Sequence, residues 1–184
     1  AEKIIGKAKS VQNSIIINLS RGLGTCLVVD GIILNGGSGF AGEFGHMKIC
    51  MDGELCSCGD TGCLEAYIGT KGLLNQVRKE IDQGSQTSLR DIDAESLMPK
   101  DVAAAAESGD KTAADILHRA GTVLGFALAN VNNILNLDRV VVGGGVANAG
   151  EWILKSARDT LKKRSLPACS ETIDLVPASL GEKA

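Results

Sequence analysis

The chain has 184 residues, 44% of them hydrophobic, 22% charged and only 3 proline, so it can bury a real core and wholesale disorder is excluded. The formal net charge is −3, and the densest cationic cluster (Lys155, Lys162, Lys163, Arg164) reads as one solvated helix end whose cations complement the dipole. Binding to nucleic acid depends on clustered Lys and Arg neutralising phosphates, so these residues are not expected to read DNA themselves.

The run Asn13 to Leu19 (Asn-Ser-Ile-Ile-Ile-Asn-Leu) is β-branched and predicts a strand, and residues 23–29 predict a second. Asp30-Gly31 is a two-residue hairpin signal, after which Ile32-Ile33-Leu34 starts a third strand, so the opening is an antiparallel meander. Glycines 36, 37, 39, 42 and 45 punctuate a loop leading into a cysteine-rich region. From about Leu64 to Ile81 the apolar residues Leu64, Ile68, Leu73, Val77 and Ile81 fall near helical spacing and predict one helix. Residues 83–99 read as a polar connection of low regularity, followed by a short helix over 100–108.

Asp110 is placed to N-cap a long helix whose inward face carries Ala114, Leu117, Val123, Leu124, Ala127, Leu128 and Val131. Arg139-Val140-Val141-Val142 has the composition of a fully buried strand, leading into Gly143-Gly144-Gly145 and a helix over Glu151 to Lys163. Ile173 to Val176 is the last strand. The order β-β-β-α-α-β-α-β predicts an α/β fold, a mixed sheet with helices packed on it. Abundant glycine (23) and scarce aromatics (3%) suit tight turns around a small polar ligand better than an aromatic-lined cage.

No apolar run approaches the roughly 20 residues of a membrane span, and the first residues hold no signal-peptide core, so a cytoplasmic location is expected. The chain begins without Met, and both ends read as cuts. Six cysteines stand at positions 26, 50, 56, 58, 63 and 169, and three of them fall within eight residues. Clustered thiols without an export signal read as a metal site in a reducing compartment.

His46, Cys56, Cys58 and Cys63 offer one imidazole and three sulfurs within 18 positions, a set that closes a tetrahedral structural zinc shell. Gly59 and Gly62 give the backbone freedom to return Cys63 to the same centre. The spacing is not that of a standard zinc finger, and the same residues also read as buried reduced thiols beside an unrelated histidine. Cys26 and Cys169 are expected to be core thiols acting as small hydrophobes. Cys50 could compete as a ligand, at the cost of leaving Cys56 or Cys58 unused.

The string Gly42-Glu43-Phe44-Gly45-His46, followed by Cys56-Ser57-Cys58-Gly59-Asp60-Thr61-Gly62-Cys63-Leu64-Glu65, closely resembles the two signatures of the ROK (repressor, open reading frame, kinase) family. The resemblance continues through Val142-Gly143-Gly144-Gly145-Val146 to Ser179-Leu180-Gly181 and so covers nearly the whole chain. It implies one ribonuclease-H-like lobe of an actin-like ATPase fold: residues 1–184 would be the C-terminal sugar-binding lobe, with a zinc-binding subregion over 43–65. It also implies that Glu43, His46 and Glu65 line a sugar pocket. The chemistry agrees, since carboxylates accept from adjacent hydroxyls and a metal-bound imidazole keeps one ring nitrogen for an oxygen. Alone, Glu65 would read as a helix N-terminal carboxylate and Glu43 as an exposed loop acid.

The resemblance places a phosphate-cradling turn at Leu19-Ser20-Arg21-Gly22-Leu23-Gly24-Thr25-Cys26. Gly22 and Gly24 are kept there, whereas Arg21 replaces a small hydroxyl residue and Thr25-Cys26 fills a glycine-rich run. Side chains at these positions obstruct the close backbone approach that a phosphate needs, although Arg21 could itself contact an anion. Gly143, Gly144 and Gly145 resemble the family's adenosine-side turn and serve equally as a tight strand-to-helix connection. The family's phosphoryl-transfer base, an Asp, and its first phosphate loop lie upstream of residue 1, so this segment alone is not expected to be a complete kinase and no catalytic residue is assigned in it.

The leading expectation is the effector domain of a sugar-responsive regulator, a homo-oligomer (a dimer at least) binding a hexose or N-acetylhexosamine. DNA contact would then belong to a separate N-terminal module. The alternative is the C-terminal lobe of an ATP-dependent hexose or N-acetylhexosamine kinase, and ATP is a cofactor only on that reading. A zinc-stabilised scaffold binding no sugar is a third.

Overall fold

In a computed structural model, which describes residues 1–180, a short helix α1 (Glu2–Ile5) precedes strands β1 (Ser14–Leu19), β2 (Leu23–Val29) and β3 (Ile32–Ile33). After the cysteine-rich loop come helices α2 (Glu65–Ile68), α3 (Thr70–Asp82), α4 (Pro99–Glu107) and α5 (Lys111–Leu135). Strand β4 (Arg139–Gly143), helices α6 (Glu151–Arg164) and α7 (Pro167–Ser170) and strand β5 (Asp174–Pro177) complete the order. No helix among the described residues is long and apolar enough to cross a membrane. The Gly181 end of the family-like string lies outside the described residues.

The five strands form one mixed sheet in the order β3-β2-β1-β4-β5. The meander is antiparallel, as its hairpin signal requires: Asp30 and Gly31 both take positive φ (50° and 78°), matching the twist of the flanking strands. Strands β4 and β5 join parallel to β1, each after a helical crossover. Alternation on β1 sends Ile15, Ile17 and Leu19 into the core, where they join Val140, Val142 and the buried face of α5, including Leu117, Leu124 and Leu128. Helices α5 and α6 approach closely because a Cβ on Gly121 or Gly125 would meet Ile153 O at 2.2 Å or Ala157 O at 2.4 Å.

The predicted helix from Leu64 to Ile81 is broken at Gly69, which is extended (φ −68°, ψ 166°). The break lets Thr70 donate through both its amide and its hydroxyl to Ser20 O, tying α3 to the β1–β2 turn. The irregular 83–99 connection contains a 3₁₀ turn at Ser88–Asp91. Asp110 organises it: Oδ1 caps the amide of Ala113 as expected, and Oδ2 accepts from the Thr87 hydroxyl and the Ser88 amide. Cys26 and Cys169 are half-buried, not core thiols. Cys26 pairs with Ile16, so it shares the sheet face opposite the Ile15–Ile17–Leu19 row.

Glu2 is 3% exposed, and its carboxylate accepts from the amides of Lys7 (2.7 Å), Ser179 (2.8 Å) and Leu180 (2.9 Å), clasping α1 to the segment after β5. Burial alone would push its pKa up; the amide donors outweigh burial and hold it below the ordinary glutamate value. A depressed pKa contributes stability above the unfolded value that is lost as pH falls through the folded one. Glu2→Gln is therefore expected to cost about 2 kcal/mol at neutral pH. In thermal denaturation across the acid range, the gap between variant and parent should narrow as pH falls below the glutamate range. A gap that is absent at neutral pH, or constant with pH, contradicts this account.

Candidate functional site

The loop between β3 and α2 folds back on itself so that Lys48 pairs antiparallel with Cys63, and Leu55 with Thr61. Four backbone bonds hold the two arms: Ile49 N–H to Gly62 O, Leu64 N–H to Met47 O, Cys56 N–H to Asp60 O and Gly62 N–H to Glu54 O. Gly62 is obligatory, with φ at +75° and room for no Cβ, which would lie 1.7 Å from Cys50 O. Buried Phe44 anchors the 3₁₀ turn Phe44–His46 and sets the imidazole over the hairpin.

The ligand atoms of His46, Cys56, Cys58 and Cys63 all lie within 4.8 Å of one another. Cys58 Sγ is 3.7 Å from Cys63 Sγ, and Cys56 Sγ is 3.7 Å from His46 Nδ1. A tetrahedron with zinc–sulfur bonds of about 2.3 Å has sulfur–sulfur edges of about 3.8 Å, so these separations suit such an ion. Cys50 is exposed and stands outside the group, which leaves Cys56 and Cys58 both in place. The four residues are the only such cluster among the described residues. The amide of Asp60 pulls the Cys58 thiol below its ordinary pKa, whereas burial pushes the Cys63 thiol up.

Nδ1 of His46 faces the sulfurs, and Nε2 points away, 3.8 Å from Glu43 Oε2. Glu65 opens α2 two residues after Cys63. Its Oε1 accepts from the Ser57 hydroxyl at 2.6 Å and lies 3.9 Å from Cys56 Sγ, while Oε2 accepts from the amide of Leu23 at 2.9 Å. Burial would raise its pKa, but the Ser57 hydroxyl and the Leu23 amide hold it lowered, so it is an ionised acceptor at neutral pH. The structure thus gathers Glu65 beside the cluster of His46, Cys56, Cys58 and Cys63, with Glu43 beside the imidazole. Ser57 was not singled out from sequence. It sits inside the Cys-Ser-Cys string, but only the folded hairpin aims its hydroxyl at Glu65.

The β1–β2 turn has two sides. Gly22 faces Glu65, whose Oε2 would lie 2.8 Å from a Cβ there. Gly24 faces the other way into a cavity of about 710 Å³, which Gly143, Gly144 and Gly145 also line with Asn18, Ser20 and Thr25. Strand register explains this grouping, because Asn18 pairs with Gly24 on one side and Gly143 on the other. Of the five glycines expected near a nucleotide, four line this cavity, and Gly22 lies on the carboxylate side. The Thr25 hydroxyl donates to Gly42 O at 2.5 Å, and Cys26 also lines the cavity, whereas Arg21 is exposed and lies with Gly22 and Glu65.

Comparison with known proteins matches the ROK family over residues 1–184. The chain is 34% identical to a glucokinase of Halalkalibacterium halodurans over 97% of its length and 55% of that protein's. It is 31% identical to the xylose repressor of Bacillus spizizenii over all of its length and 44% of the repressor's. The chain thus spans about half the length of these relatives. Among solved structures, a ROK family transcriptional regulator described as a homologue of the E. coli MLC protein superposes with a TM-score of 0.87 at 33% identity, covering 96% of this chain and 44% of that one. A ROK family glucokinase from Streptomyces griseus, solved with glucose and AMPPNP, also gives 0.87 at 28% identity, covering 99% and 60%. The mixed sheet and its helices are therefore a lobe of the actin-like ATPase fold.

Proposed function

Because this chain belongs to the ROK family, whose members similar to it include both regulators and kinases, we propose that it is the C-terminal, sugar-binding lobe of a sugar-responsive transcriptional regulator. On this reading it works in the cytoplasm as a homo-oligomer, and DNA is contacted through a separate N-terminal module. The observation that carries the sugar reading is the ionised Glu65 carboxylate fixed beside His46 on the cysteine hairpin, with Glu43 next to the imidazole. Two carboxylates that accept and a ring N–H that donates form a polar set suited to vicinal hydroxyls. The sugar is a hexose or an N-acetylhexosamine.

Zinc fits the cluster: three cysteine sulfurs and one imidazole lie within 4.8 Å of one another, with the Cys58–Cys63 and Cys56–His46 separations at 3.7 Å, near tetrahedral edge lengths. Bound there, it supplies a structural cross-link. Coordination through Nδ1 would fix the imidazole and leave Nε2 for the ligand. Glu65 is held independently of the ion, through Leu23 and Ser57.

Thr25 and Cys26 favour the regulator over the kinase, because they line the glycine cavity with side chains where phosphates would approach backbone amides, whereas Arg21 lies on the other side of the turn with Gly22 and Glu65. The kinase reading rests on a different observation, that Gly24 and Gly143 to Gly145 line one cavity of ligand size. Sugar-dependent ATP turnover by the full-length protein decides between them. Negligible turnover is expected across hexoses and N-acetylhexosamines, and clear turnover overturns the regulator reading in favour of the kinase.

A further inference from the structure

We infer that Lys48 is the outer-sphere partner of the metal cluster: its ammonium donates to the Cys63 sulfur and sets how tightly the cluster holds its ion. This rests on the metal reading above and goes beyond it. In sequence Lys48 is one more loop cation. The fold makes it the direct antiparallel neighbour of Cys63, so its side chain can run alongside the cysteine. Nζ lies 3.2 Å from Cys63 Sγ, 2.7 Å from Thr61 O and 2.6 Å from Asp60 Oδ2. An ammonium has three N–H bonds, and here three acceptors meet it. Asp60 is itself held by the amide of Thr61 at 2.7 Å, so the acceptor that orients the ammonium is fixed.

The charge on the cluster gives this contact its purpose. Three thiolates and a divalent ion with a neutral imidazole leave one net negative charge. Among the described residues, Lys48 is the one cationic side chain hydrogen-bonded to a ligand sulfur; Cys56 meets the Glu65 carboxylate and the Ser57 hydroxyl instead. The Cys63 sulfur is buried and has little water to solvate its charge, so an ammonium hydrogen bond stabilises it as a thiolate. The Lys48 side chain is 44% exposed, which screens the longer-range attraction and leaves the direct N–H···S contact as the main effect. Removing such partners typically weakens metal binding about 10- to 100-fold, and the exposure argues for the lower end here.

The test uses the whole chain, stripped of metal and reloaded with zinc against a chromophoric chelator, and separately with cobalt(II). Lys48→Met should still take one zinc but hold it about tenfold more weakly, and Lys48→Arg should restore most of the loss. The sulfur-to-cobalt charge-transfer band should move to lower energy in Lys48→Met, because a thiolate without its donor gives up an electron more readily, and should return in Lys48→Arg. A role confined to tying Asp60 to Thr61 would change thermal stability and leave that band in place. Should Lys48→Met fail to fold, Lys48→Gln takes its place as the neutral variant, expected to weaken zinc and to move the band in the same direction. Zinc affinity and a cobalt band identical to the parent's in the neutral variant overturn the inference while leaving the metal site standing. A parent chain that takes up no zinc overturns both.

Discussion

Cys58→Ser is expected to abolish stoichiometric zinc and to lower thermal stability by several kcal/mol. Structural zinc contributes roughly 10–16 kcal/mol of apparent binding free energy in small zinc-finger peptides. Only part of that is expected to be at stake here, because a 184-residue chain has a core of its own to contribute stability. The choice of Cys58 matters: it is exposed, so a serine there removes no core packing and any loss reports on the metal. Cys50→Ser supplies the control, an exposed thiol of the same loop outside the four-residue group, and it should keep both zinc and stability. Elemental analysis with denaturation curves in the presence and absence of chelator reads both quantities. Chelator should destabilise the parent and leave Cys58→Ser unmoved. A washed parent that contains no zinc yet melts unchanged would falsify the metal assignment.

Glu65→Gln in the full-length protein should weaken sugar binding about tenfold to a hundredfold, the loss of roughly 1.5–3 kcal/mol for a charged hydrogen bond. The amide keeps the shape and removes the charge. It also turns one acceptor into a donor, which must face either the Leu23 amide or the Ser57 hydroxyl that the carboxylate now satisfies. Part of any loss could therefore come from a disturbed β1–β2 turn. Glu43→Gln separates the two causes, because the Glu43 side chain is 62% exposed and touches His46 rather than the β1–β2 turn. Calorimetry against hexoses and N-acetylhexosamines should identify one sugar that both variants bind more weakly. If both bind it as tightly as the parent, Glu43 and Glu65 do not line the pocket, and the scaffold reading takes over.

Much of this protein was legible in one dimension because the relevant physics is local. The hairpin at Asp30-Gly31, the cap at Asp110 and the buried Val140–Val142 strand depend on residues a few positions apart, and all three form as read. His46, Cys56, Cys58 and Cys63 are also brought together, since 18 positions with two flexible glycines leave few ways to arrange one imidazole and three sulfurs. Tertiary structure decided the rest. Whether Cys50 joined the quartet depended on the hairpin register, which turns its sulfur outward while its carbonyl packs on Gly62. The helix from Leu64 breaks at Gly69, where Thr70 bonds to Ser20, 50 residues earlier, a contact that no helical periodicity encodes. Cys26 looked like a core residue by type, but its pairing with Ile16 turns it to the cavity face. The amide of Leu23, 42 residues away, and a hydroxyl aimed by the hairpin offset burial and hold the Glu65 pKa lowered. Spacing along the chain specifies which groups a turn or a helix can present. Which donor meets which acceptor across the sheet and loop is specified by strand order and register, and these are set by burial of the core as a whole.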